Sequence, residues 1–166
     1  MATIKSSIIP CLWFDTQGEQ AAKFYTSIFP NSAIGKISHY TEAGKEFHGR
    51  EPGAVLTVAF TLNGQEFTAL NGGPQFKFNE AISFQIMCDD QNEVDHYWDR
   101  LNEGGVPEAQ QCGWLKDKFG VSWQVVPRRL MELITHPDKA KAGRVLNAMM
   151  GMKKLDIAAM EKAAAG

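Results

Sequence analysis

The order of apolar and polar stretches in residues 8–29, IIPCLWFDTQGEQAAKFYTSIF, recurs in residues 81–101, AISFQIMCDDQNEVDHYWDRL. Each reads as a strand-length apolar run, an acidic and polar junction, and an amphipathic helix. Superposing Phe24-Tyr25 on Tyr97-Trp98 sets the offset at 73 residues, and the same offset pairs Ala21 with Val94, Ile28 with Leu101 and Pro10 with Ser83. A chain that repeats one supersecondary unit is expected to place its ligand site between the copies.

Residues 8–14 form a strand by length and content, and their near-continuous apolar character predicts that both faces are covered. Thr16 and Glu19 have capping-box spacing, and Ala21, Phe24, Tyr25 and Ile28 follow at i, i+3, i+4 and i+7, one apolar helical stripe. Pro30-Asn31-Ser32 ends that helix. A second strand is predicted over 33–40 and a long loop over 41–53. Leu56, Val58, Phe60 and Leu62 alternate with Thr57, Ala59 and Thr61 in strand period, and Asn63-Gly64 is a hairpin turn returning through Gln65 to Leu70. The first module therefore reads β, α, β, β, β. In the second, a strand over 82–88 leads to a helix capped by Asp90 and Glu93, with the stripe Val94, Tyr97, Trp98 and Leu101 and a stop at Gly104-Gly105. A short strand over 106–111 and a hairpin about Phe119-Gly120 complete it. Aligning Gly64 with Gly120, an offset of 56, sets Phe67 on Trp123 and Thr68 on Gln124. Beyond Pro127 the pattern turns to helices over 128–134, 138–152 and 156–165. The fold class is α+β: paired βαβββ modules over residues 1–127, about 1–75 and 76–127, with 128–166 as a C-terminal helical extension of the same domain.

The 166 residues suit one domain, and 44% hydrophobic with 22% charged residues is ordinary for a chain that buries a real core. The formal net charge is −2 with scattered Lys and Arg, which provides no basic footprint for nucleic acid or an anionic membrane. No signal-like segment opens the chain and no apolar run spans a bilayer, so a cytoplasmic location is expected. Cys11, Cys88 and Cys112 are odd in number and far apart, which argues for reduced thiols and against a disulfide framework or structural zinc.

Several segments carry a family resemblance. PCLWFD at 10–15, FYTSIFPNS at 24–32, LNGGP at 70–74, FNEAISF at 78–84, CGWLKDKFGVSWQVVP at 112–127 and KLDIAAM at 154–160 resemble the PhnB-like branch of the vicinal oxygen chelate superfamily. That superfamily includes glyoxalase I, extradiol dioxygenases and bleomycin-resistance proteins, and members of the branch often carry the label 3-demethylubiquinone-9 3-methyltransferase. The resemblance implies two modules curled into a cup-shaped mixed sheet with helices outside, and paired subunits, hence a homodimer. It also implies a divalent metal held by His, Glu or Gln at equivalent points of the first and last strands of each module. The repeat alignment carries those points to Pro10, Thr68, Ser83 and Gln124. Proline has no side-chain ligand atom, the two hydroxyls are poor neutral ligands, and Gln124 alone offers a workable oxygen. A slip of one residue presents Cys11, Phe84 and Val125, which is no better. The expectation is a pocket with no bound catalytic metal and no cofactor.

A nucleotide-like methyl donor needs a glycine-rich turn between a strand and a helix, and neither Gly72-Gly73 nor Gly104-Gly105 stands in that context, which argues against methyl transfer. Cys112, beside Gly113-Trp114, is the candidate nucleophile, with a small buried hydrophobe as its bland alternative. Asp15 is the candidate general base, or else an acidic residue serving the strand-to-helix junction. His39, His48, His96 and His136 show no ligand spacing. Trp13, Trp98 and Trp123 are placed between sheet and helix, and Trp114 on the pocket wall or else under the C-terminal helices. Alternation from Gln124 turns Ser122, Val126, Leu12, Phe14, Thr68, Leu70, Ser83, Gln85 and Met87 toward the pocket. Such a lining, apolar with a few amides and hydroxyls, suits a small organic molecule. The function read from the chain is small-molecule binding of the glyoxalase and bleomycin-resistance type. The alternative is an enzyme, either metal-dependent and lyase- or dioxygenase-like, or thiol-based through Cys112.

Overall fold

Asn63 and Gly64 both take positive φ, 48° and 81°, the backbone of a two-residue turn whose twist matches that of the strands it joins. In the computed structural model, which describes residues 7–166, this turn links β3 (Val55–Leu62) to β4 (Gln65–Asn71). β1 (Cys11–Phe14) runs parallel to β4, and β2 (Ala33–His39) antiparallel to β3, in the order β1-β4-β3-β2. α1 (Gly18–Thr26) lays buried Ala21, Ala22 and Tyr25 on one face of this sheet. The Tyr25 ring stacks on Phe60 at 6.3 Å and Phe60 on Phe67 at 5.4 Å. The alternation of β3 is therefore sorted as expected, with Val58, Phe60 and Leu62 buried on the helix side.

Two local expectations are corrected. Thr16 and Glu19 form no capping box: Gln17 occupies the N-cap without a side-chain bond, and the Gly18 N–H donates instead to Asn71 Oδ1 at 2.7 Å. A tertiary acceptor has replaced the local one. The 41–53 loop contains one helical turn, α2 (Lys45–His48), entered and left by glycines of positive φ.

The chain divides into two compact units, the first ending at Lys77 and the second running over Phe78–Gly166. β5 (Phe84–Cys88) and α3 (Gln91–Leu101) begin 73 residues after β1 and α1, the offset read from the repeat. Asp90 caps α3 by accepting the Glu93 N–H at 2.9 Å. The strand expected over 106–111 is a 3-10 turn at Pro107–Ala109, because proline fixes φ and supplies no ladder N–H. The second sheet accordingly has three strands, β5-β7-β6, with β6 at Trp114–Lys116 and β7 at Ser122–Pro127. The buried stripe Val94, Trp98 and Leu101 of α3 packs on this sheet. Its turn is held by Asp117, a buried carboxylate that accepts the Phe119 and Val121 N–H groups at 2.8 and 3.0 Å and the Trp123 indole at 2.8 Å.

The C-terminal helices are α4 (Arg128–Ile134), α5 (Lys139–Met150) and α6 (Ile157–Ala165), the last two capped by Asp138 and Asp156. Leu130, Leu133, Val145, Leu155, Met160 and Ala164 form a core with Val126 of β7, and Met87 of β5 packs against it. The α5–α6 connection bonds back to the sheet: Cys112 and Gly113 donate to the Met152 and Lys153 carbonyls, both at 2.8 Å. No helix among the described residues is long and apolar enough to cross a membrane.

Candidate functional site

Directly paired residues of neighbouring strands point to the same side of a sheet. In the first unit Cys11 pairs with Thr68, Leu12 with Ala69, Trp13 with Leu70 and Phe14 with Asn71. Thr68 and Leu70 thus share the helix-free face with Cys11 and Trp13. Leu12 and Phe14 lie on the opposite, helix-covered face, 6% and 4% exposed. The expectation that Leu12 and Phe14 face the same space as Thr68 and Leu70 is corrected, as is the placing of Trp13 between sheet and helix. In a run apolar at every position the burial phase leaves no trace in the sequence. Pro10 contributes its carbonyl to the Thr68 N–H at 2.9 Å. Thr68, with Ala59 and Thr61, lines a groove of about 320 Å³ bordered by Lys36 and Glu66. Trp13 donates its indole N–H to the Gly73 carbonyl at 2.8 Å and meets the edge of Phe76 at 4.9 Å.

In the second unit the predicted residues do come together. Gln85 pairs with Gln124 across β5–β7, and Trp114 pairs with Gln124 across β6–β7. Ser83 and Ser122, two residues from Gln85 and Gln124, fall on the same face. Gln85 Nε2 donates to Gln124 Oε1 at 3.2 Å, and Gln124 Nε2 donates to Ser83 Oγ at 2.8 Å. Gln85 is exposed, Ser83, Trp114 and Gln124 are half-buried, and Ser122 is buried. The Ser122 hydroxyl has no hydrogen-bond partner. Phe84, Trp123, Leu115 and Val125 take the other face, and Phe84 meets the Trp123 ring at 5.4 Å.

One register difference separates the units. The offsets of 73 and 56 would pair Phe84 with Gln124, whereas Phe84 pairs with Trp123. The hairpins explain it: Leu62 pairs with Gln65 about two turn residues, but Lys116 pairs with Ser122 about five.

The chemistry of the donor set does not fit the superfamily's metal. Pro10 has no side-chain donor, Thr68 and Ser83 are neutral hydroxyls, and the Gln124 carbonyl already accepts from Gln85. Among the described residues no three His, Cys, Asp or Glu side chains are placed to hold an ion.

Asp15 lies elsewhere, in a cleft of about 220 Å³ at the start of α1 with Thr16, Gln20, Tyr40 and Arg50. It is ion-paired to Arg50 at 2.9 Å, a partner in the 41–53 loop that no sequence spacing indicates. Tyr40 donates to the Asn71 carbonyl at 2.7 Å and stacks near His48, whose Nδ1 accepts the Arg50 N–H at 3.0 Å. Asp15 and Thr68 therefore line different clefts. Cys112 takes a positive φ of 51°. Its thiol donates to the Met149 carbonyl at 3.4 Å, accepts from Gln111 Nε2 at 3.3 Å and touches Met150 Sδ at 3.9 Å. No histidine or carboxylate is hydrogen-bonded to it among the described residues. Burial, then the carboxylates of Glu93, Asp89 and Asp90, push the Cys88 thiol up to about 12. Burial also raises the Cys11 thiol above its ordinary value.

Two α+β units with mixed sheets, each opened by a β-α pair at a fixed repeat, define the class of paired-module folds. Residues 6–126 match the family described as 3-demethylubiquinone-9 3-methyltransferase. The chain belongs to that family, in the PhnB-like branch of the vicinal oxygen chelate superfamily. A PhnB protein of Bacillus cereus carrying the same methyltransferase label is 36% identical, covers 74% of this chain and 99% of its own, and superposes with a TM-score of 0.62. Protein PA1353 of Pseudomonas aeruginosa, 18% identical over 74% of this chain and 98% of its own, shares the fold at a TM-score of 0.56. The fosfomycin resistance protein FosX of Listeria monocytogenes does so at 0.50, with 20% identity over 81% of this chain and 100% of its own. No match was found among curated proteins. The family's label gains no support from the fold. β1 leads to α1 through Asp15, Thr16 and Gln17, and β5 to α3 through Asp89 and Asp90. Neither junction is a glycine-rich cradle for a nucleotide-like donor.

Proposed function

We propose that this chain is a small-molecule-binding protein whose ligand is held by neutral hydrogen-bonding groups on the Gln124 face of the β5-β7-β6 sheet, beside the end where Val126 and Met87 meet the C-terminal helices, without a resident metal. The observation that carries the reading is the bonded series Ser83, Gln124, Gln85 beside Trp114. Ser83 and Gln124 stand at two of the positions that the family resemblance assigns to metal ligands, and they offer a hydroxyl and an amide in their place. Such groups orient an organic ligand against an aromatic wall. Thr68 and Leu70 remain proposed ligand contacts on the helix-free face of the first sheet. Leu12 and Phe14 do not, because both are buried under α1. A homodimer belongs to the same proposal and is read from the solution mass by light scattering.

A thermal-shift screen of a small-molecule library on the full chain, followed by calorimetry of the hits, tests the reading. Gln124→Ala is expected to weaken the hits about tenfold, the worth of one to two hydrogen bonds. Hits whose affinity is unchanged in Gln124→Ala would remove this face as the site.

A further inference from the structure

The amide series also restricts what kind of molecule fits it. A primary amide carries two N–H donors and a carbonyl with two lone pairs. Gln85 spends one N–H on Gln124, and Gln124 spends one lone pair of its carbonyl on that bond and one N–H on Ser83. Left for a ligand are the Gln85 carbonyl and its second N–H, the other lone pair and the second N–H of Gln124, and the Ser83 O–H. Gln85 is exposed, and its carbonyl and second N–H lie in the plane of one amide, open to a ligand. Such an edge is matched by a ligand with an N–H beside a C=O. A carboxylate would set one oxygen against the Gln85 carbonyl, and an ammonium group would leave the donors unmet. Charge gives no reason for an ionic ligand either, because Lys116, the cation of this face, is paired with Glu80. Trp114, directly across from Gln124, supplies a half-buried ring against which a planar ligand stacks. Beside Gln124, the buried Ser122 hydroxyl is without a partner, a polar group of the kind a ligand or its bound water satisfies.

We infer that the site recognises an uncharged planar ring bearing a cis-amide edge, a lactam or imide, with the edge on Gln85 and Gln124 and the ring on Trp114. The inference rests on the reading of this face as the ligand site. Calorimetry on the full chain with three probes tests it: isoquinolin-1(2H)-one, its N-methyl derivative and 1-naphthoate. The lactam is expected to bind at least about tenfold more tightly than the other two, since blocking the N–H or adding charge leaves an amide group unmatched. Gln85→Met should bring the lactam and its N-methyl derivative to equal affinity. Equal binding of those two by the unaltered protein, or tighter binding of 1-naphthoate, overturns the inference. So does failure of the lactam while library hits still depend on Gln124, an outcome that keeps the site and removes the ligand class. Absence of every Gln124-dependent hit removes the site itself.

Discussion

Asp117 holds the turn of the second sheet through one carboxylate that accepts from two backbone N–H groups and the Trp123 indole. Asp117→Ala would leave buried donors unmet, and the expected loss is about 3 kcal/mol, read as a lower urea midpoint at unchanged slope. A loss below about 1 kcal/mol would deny the carboxylate this role. Cys88 makes a second prediction at this scale. With its thiol pushed up to about 12, the reactive thiolate at neutral pH is on the order of one part in ten thousand or less. Cys88 is therefore expected to react with a thiol reagent only after unfolding, and native labelling as fast as that of exposed Cys11 would contradict its environment. Legibility at this scale was uneven. Gln124, Gln85 and Ser83 were readable because period-two alternation from one amide turns all three to a single face. Asp117 was not, since an aspartate in a Lys-Asp-Lys-Phe-Gly stretch looks like any turn residue until its buried partners are known.

Among the elements, α3 was placed where apolar spacing and the Asp90 cap agree, and β5 ends at Cys88 as expected but starts at Phe84, two residues after the expected Ile82. β1 was located but its phase was inverted for Leu12, Trp13 and Phe14. A continuous apolar run fixes a strand without fixing which residues the helix covers, and that choice is made by pairing with β4. The strand expected over 106–111 failed on Pro107, a local rule overriding a repeat. The C-terminal helices were legible from the change of pattern beyond Pro127, whereas the bonds of their connection to Cys112 and Gly113 were not, since backbone contacts of this kind have no side-chain signature. An ion cluster adds to that docking. Lys154 lies 2.9 Å from Asp95 and 3.3 Å from Asp99. The bond from Lys154, then that from Gln91, holds the Asp95 carboxyl below its usual range, and the bond to Asp95 raises Lys154. A depressed carboxyl contributes above its unfolded pKa of about 3.9 and loses the contribution as pH falls through the folded value. A raised amine contributes below about 10.4 and loses it as pH rises through its folded value. The cluster is thus at full strength between about pH 4 and 10. The groups are largely exposed, so its worth is on the order of a few tenths of a kcal/mol. Lys154→Met should lower stability by that amount at pH 7 and by less at pH 3. A deficit that persists at pH 3 would mean the lysine acts through packing rather than charge.

For the molecule as a whole, the duplicated module made the fold class legible before any coordinate, since two copies of a β-α opening with following hairpins admit few arrangements. The candidate face of the second sheet was legible, and the face of the first was confused. The two offsets, 73 and 56, do not register that one hairpin turns in two residues and the other in five. On the proposed function, Ser83 and Gln124, at positions the family resemblance assigns to metal ligands, serve as neutral hydrogen-bonding groups. Metal retention tests it most directly: the full chain is saturated in turn with Zn²⁺, Ni²⁺, Mn²⁺ and Fe²⁺, passed through a desalting column and assayed by elemental mass spectrometry. The donor chemistry predicts less than about one tenth of an equivalent retained for each ion. One full equivalent that is lost in Gln124→Ala would contradict it.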